Sequence, residues 1–156
     1  MILTMKQFKI KPINFIAILS LIIITSCNKT KQHSKWLTGE TWQVNTVTID
    51  GQPFDLLPAL SFDDCDIYDE ICFGNLSIEN KGAARFAWQI REKGKIFELS
   101  DQTQNKDESN EEAVSFSSSF SGVFNVSEVD KKNMALESQN CKRYPGKKVV
   151  IKLTKK

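Results

Sequence analysis

"VSFSSSFSGVFNV", Val114 to Val126, is either a low-complexity serine loop or strand. Its even positions are mostly aromatic or aliphatic (Val114, Phe116, Phe120, Phe124, Val126), and its odd ones are mostly Ser or Asn. Alternation of period two puts one side of an extended chain against a core and leaves the other in water. The phase therefore predicts a strand over 114–121 and a second over 122–126, with one wet face. The same phase recurs elsewhere. Phe86, Trp88 and Ile90 oppose Arg85, Gln89 and Arg91, while Val149, Ile151 and Leu153 alternate with Lys148, Lys152 and Thr154. No segment carries a sustained apolar stripe of helical period.

Turn signals separate these runs: Asp50-Gly51, Lys81-Gly82, Lys93-Gly94 and Pro145-Gly146. The first and third lie between apolar runs and read as tight reversals. Asp101 to Glu112 (DQTQNKDESNEE) is polar throughout and reads as a long loop. The segments are 41–49, 71–78, 84–91, 96–100, 114–121, 122–126, 133–137 and 148–154. They predict an all-β domain of about eight short antiparallel strands, as an up-and-down barrel or, alternatively, a β-sandwich. The barrel is preferred because closure removes exposed strand edges.

Residues 1–26 read as an export signal. Lys6, Lys9 and Lys11 form a basic start, and INFIAILSLIII (13–24) is an apolar run too short to span a bilayer and of signal-peptide length. The residues Ile24-Thr25-Ser26-Cys27 resemble the lipobox of bacterial lipoproteins. That resemblance implies cleavage before Cys27 and lipidation of its sulfur and new amino terminus, an anchor that holds stably with two or more chains. Residues 28–35 contain no apolar side chain and read, with Cys27, as a flexible tether. No acidic residue follows Cys27 directly, which favours the periplasmic face of a Gram-negative outer membrane over the cell surface. Losing the three signal lysines from 21 basic residues, against 19 acidic, turns the balance slightly negative. Nothing in the charge calls for nucleic acid. The remaining residues, 36–156, make one domain with a single core, expected to be a monomer.

That domain opens with Leu37-Thr38-Gly39-Glu40-Thr41-Trp42-Gln43-Val44. The Gly-x-x-Trp element resembles the first strand of lipocalin-like proteins, with the spacing one residue longer than their Gly-x-Trp. The plan of lipobox, short tether, opening Trp strand, central Trp strand and Lys-rich last strand is similar to small bacterial lipocalin-like lipoproteins. The resemblance implies a barrel whose interior holds one small apolar ligand. Trp42 would then be a barrel-floor residue, and Phe86, Trp88, Ile90, Phe116, Phe120 and Phe124 would line the core or the cavity.

Cysteines in an oxidising envelope favour disulfides. With Cys27 lipidated, Cys65, Cys72 and Cys141 remain, and no Cys-x-x-Cys or zinc-knuckle spacing occurs among them. Proximity favours Cys65–Cys72, chain entropy a bridge to Cys141; both stay open, and so does the absence of any bridge. Asp63, Asp64, Asp66, Asp69 and Glu70 crowd the same loop. They lack the EF-hand pattern, and five carboxylates are at most a weak Ca²⁺ site and otherwise a solvated rim. A second acidic run, Asp107, Glu108, Glu111 and Glu112, faces a C-terminus rich in lysine.

Catalysis is hard to build from these residues. His33 is the single histidine and precedes the domain, and no nucleophile elbow or phosphate-cradling glycine loop occurs. The sequence thus predicts a non-enzymatic, cofactor-free protein. One expectation is a lipid-anchored carrier of a small apolar ligand. The other is an interaction lipoprotein with a filled barrel, docking an envelope protein or polymer.

Overall fold

The computed structural model describes residues 29–65 and 71–156. Nine strands form one antiparallel sheet: β1 (Thr41–Ile49), β2 (Gln52–Pro53), β3 (Ala59–Phe62), β4 (Cys72–Ser77), β5 (Ala83–Arg91), β6 (Ile96–Asp101), β7 (Gly122–Val129), β8 (Asn133–Cys141) and β9 (Tyr144–Lys155). From β3 to β9 each strand pairs with the next in sequence. Strand β1 pairs with β3 at one end and with β9 along its length, from Trp42↔Lys155 to Ile49↔Val149. This last pairing closes an eight-stranded up-and-down barrel of lipocalin-like type and rules out the sandwich. The two-residue β2 is an extra flap on β1, folded back by Asp50-Gly51, both at positive φ (52° and 80°). That backbone is what a two-residue hairpin turn requires.

The strand expected over 114–121 is a helix. Helix α2 (Glu111–Ser119) buries Ala113, Val114, Phe116 and Ser117, with Phe120 just beyond its end. Positions 113, 116, 117 and 120 recur at i, i+3, i+4 and i+7, and the buried Ser117 hid that stripe from a count of apolar residues. Glu111 and Glu112 sit in its first turn, where the helix dipole favours acids. Only the second half of the alternating tract, from Gly122, is strand.

A second helix, α1 (residues 29–37), stands where a flexible tether was expected. Its polar sequence gains order by docking: Leu37 is fully buried, and His33 stacks on Trp36 with ring centroids 5.3 Å apart. Strand β3, whose buried residues are only Leu60 and Phe62, escaped the pattern reading through its brevity. Pro145-Gly146 does not make the last reversal. It lies inside β9 at a register shift, and Lys142-Arg143 form the turn between Cys141 and Tyr144.

The helices stand at opposite ends of the barrel. Helix α1 packs against the β5–β6 turn, where Gly94 (φ +85) lies against the His33 ring. Helix α2 packs against β4, β5 and β6 from the other end, with Ser109 and Asn110 abutting Gly82.

Candidate functional site

The barrel interior holds the expected aromatic residues, packed against one another. Trp42, Phe86, Phe120 and Phe124 are at most 1% exposed, and Trp88 is 2% exposed. Phe62 sits at the centre, edge-on to Phe86 (5.6 Å between ring centroids), Trp88 (5.2 Å) and Phe97 (6.3 Å). Such spacings are those of favourable aromatic pairs. Ile90 is only partly buried and packs at the margin of this core. Phe116 and Phe120 arrive from α2 rather than from the wall, and with Phe54 they plug the α2 end at centroid distances of 4.4–6.0 Å. The Trp42 indole N–H and the Ser117 hydroxyl are buried without a hydrogen-bond partner among the described residues.

Outside the wall the chemistry differs. Outward positions of a barrel strand are expected to be polar, yet Ile71, Phe73 and Val123 are 56%, 41% and 40% exposed. Phe73 leaves β4 on the phase opposite to Cys72, Gly74 and Leu76, and Val123 leaves β7 opposite to Phe124. With Ala87 and the backbone of β5–β7 they line a groove of about 400 Å³, edged by Gln89, Glu98, Ser100 and Gln102. Its position is braced from below: the Trp88 indole N–H donates to the Phe73 carbonyl at 2.9 Å. On one flank, the Arg85 guanidinium lies 5.3 Å over the Phe73 ring and pairs with Asp63 at 2.7 Å. On the other, Glu98 accepts hydrogen bonds from Gln89 and Arg91.

No protein-family model and no curated protein matches the chain.

The groove was legible only as a breach of pattern. Val123 and Phe73 occupy the polar phase of otherwise alternating strands, and Ile71 precedes β4. Along a strand the apolar phase marks the interior, so single apolar residues on the polar phase carry no local signal that they meet.

Cys65 and Cys72 form a disulfide with a Cα–Cα distance of 5.7 Å, so the shorter of the two open pairings is made. Cys141 is a free, buried thiol whose pKa is raised chiefly by burial. Of the carboxylates in that loop, Asp63 is engaged by Arg85, and Asp64 lies beside Gly39. Asp66, Asp69 and Glu70, like Cys27 and the expected signal segment, lie outside the described residues. Among the described residues no three His, Cys, Asp or Glu side chains gather as metal ligands would, and no helix is long and apolar enough to cross a membrane.

His33 sits on the barrel end, its Nδ1 3.3 Å from the Gly94 carbonyl oxygen. Burial lowers its pKa, the Gly94 hydrogen bond opposes that shift, and Lys29 adds to it.

Proposed function

We propose that the protein is a non-catalytic, lipid-anchored envelope lipoprotein that acts by binding, and that its recognition surface is the β4–β7 groove. One observation carries the reading. The barrel interior is occupied by its own aromatic side chains, while three large apolar side chains converge on one spot outside. Scattered exposed apolar residues need no explanation, but a contiguous patch with a polar rim has the composition of an interaction site. The occupant that fits best is an apolar side chain of a partner protein, with Gln89, Glu98 and Ser100 available to hydrogen-bond its backbone. Anchorage through Cys27 is supported by the lipobox-like residues, and an oxidising envelope by the Cys65–Cys72 bridge. The non-catalytic reading is supported by the single histidine, which is held against Trp36 and Gly94.

A second reading, a small apolar ligand in place of a protein side chain, is favoured by the groove's size, which falls within the range of small-molecule sites. A photo-crosslinking residue at position 73, introduced in cells, separates the two. A discrete crosslinked protein, absent when the same residue stands at position 77 on β4, supports the partner reading. A small molecule that co-purifies and is lost on denaturation, seen by native mass spectrometry and abolished by Phe73→Ser, supports the ligand reading. Neither product, from a folded protein, overturns the groove as the site.

A further inference from the structure

The end of the barrel that carries α1 is also where unpaired positive charge collects. A cleft of about 520 Å³ beneath α1 is lined by Lys29 and His33 of the helix, Lys93 and Lys95 of the β5–β6 turn, and the end of β7. The neighbouring β7–β8 turn adds Lys131 and Lys132. The chain terminus is stitched to it, since the Lys155 N–H donates to the Lys132 carbonyl (2.8 Å) and the Lys156 N–H to the Thr41 carbonyl (2.9 Å). Four separate segments thus bring Lys29, Lys93, Lys95, Lys131, Lys132 and Lys156 to one rim, all exposed.

None of the six makes an ion pair with a described residue, whereas Lys81, Lys106 and Lys148 elsewhere pair with Glu112, Asp101 and Glu137. Acids described on this arc are fewer: Glu92, Glu128, Asp130 and Glu40, the last of which is paired with Lys155 at 2.6 Å. Asp130 is turned inward to its own turn, accepting from the Lys132 and Asn133 backbone N–H groups. Asp63 and Asp64 lie on the β3–β4 side of the same end, Asp63 held by Arg85.

We infer that this lysine rim is a membrane-docking surface that lies on an anionic bilayer. The inference rests on the anchor reading above in one respect: α1 begins two residues after Cys27, so the chain enters the fold through the basic end. An anchor at that point keeps the rim near the headgroups, where attraction to anionic lipid acts over a Debye length of about 8 Å at physiological salt. Each lysine near an anionic surface then strengthens binding on the order of fivefold. Docked this way, the barrel stands on its α1 end and presents the β4–β7 groove from its side wall.

The test is lysine footprinting of the full chain, purified from membranes, in vesicles of phosphatidylcholine with phosphatidylglycerol and in phosphatidylcholine alone. A water-soluble acylating reagent is used, and modified residues are mapped by mass spectrometry. Acylation of Lys93, Lys95, Lys131 and Lys132 is expected to slow severalfold on the anionic vesicles alone. The protection should vanish in about 1 M salt, where the Debye length is about 3 Å. Lys142 and Lys147 at the far end should react alike throughout. Equal labelling in both vesicles, or protection at both ends, overturns the inference. The intact mass of the same sample reports acylation of Cys27 separately, so an unmodified mass removes the anchor reading and leaves the footprint to judge the rim.

Discussion

Phe62 and Trp88 meet edge to face in the middle of the barrel, their ring centroids 5.2 Å apart and their planes at 87°. A calyx would need the space those two rings occupy. Trp88 also stacks beside Phe97 at 6.3 Å and donates its indole N–H to the Phe73 carbonyl, so one side chain joins the core to the groove outside.

Truncating that residue should therefore unsettle the fold as a whole. Trp88→Ala is expected to lower stability by about 3–5 kcal/mol, the range for removing a large aromatic from a packed core. Urea unfolding followed by circular dichroism measures it. A loss below about 1 kcal/mol would mean that the interior is looser than these ring contacts imply.

His33 should make docking of α1 depend on pH. Its pKa is lowered by burial and by Lys29, against the opposing Gly94 hydrogen bond, while Lys93 and Lys95 line the same cleft. A depressed pKa means that the undocked helix binds the proton more readily. The contribution is thus fully present above about pH 6.5 and is lost as pH falls through the docked value. Because the chain has one histidine, a single imidazole resonance reports the midpoint. A midpoint at or above 6.5 in the folded protein would contradict this docking geometry.

Reduction should weaken the protein without unfolding the barrel's far end. Replacing Cys65 and Cys72 by serine is expected to cost about 2–3 kcal/mol by the loop-entropy estimate for a short bridge. In the untreated protein Cys141 should resist thiol reagents until denaturant exposes it, and Cys65 and Cys72 should stay unreactive even then. A reactive Cys65 in denaturant without reductant would contradict the bridge.

Gly74 marks a close approach on the inner wall. A Cβ there would lie 2.6 Å from the Ser61 carbonyl oxygen and run into the Phe86 ring. Gly74→Ala is expected to destabilise by about 1–3 kcal/mol through overpacking. The paired change Gly74→Ala with Phe86→Leu should recover part of that in thermal melts. An unchanged melting temperature in the single variant would mean that β3 and β4 are spaced more widely than described.

The amino-acid sequence determined a good deal by itself. Period-two alternation placed β1, β5 and β6 nearly to the residue, and Asp50-Gly51 fixed its hairpin, because side-chain phase and positive-φ turns are local properties. The total of eight barrel strands was legible too, though through an exchange: 114–121 was counted in place of β3. Tertiary structure decided that exchange. Phe116 and Phe120 fit either an extended or a helical phase, and the open α2 end of the barrel selected the helix that plugs it. Docking likewise ordered α1, whose polar residues have no helical preference strong enough to act alone. Barrel closure, the choice of Cys72 as partner for Cys65, and the meeting of Ile71, Phe73 and Val123 on one outer wall are all relations between distant residues. No local pattern encodes them, since each depends on which strands end up side by side.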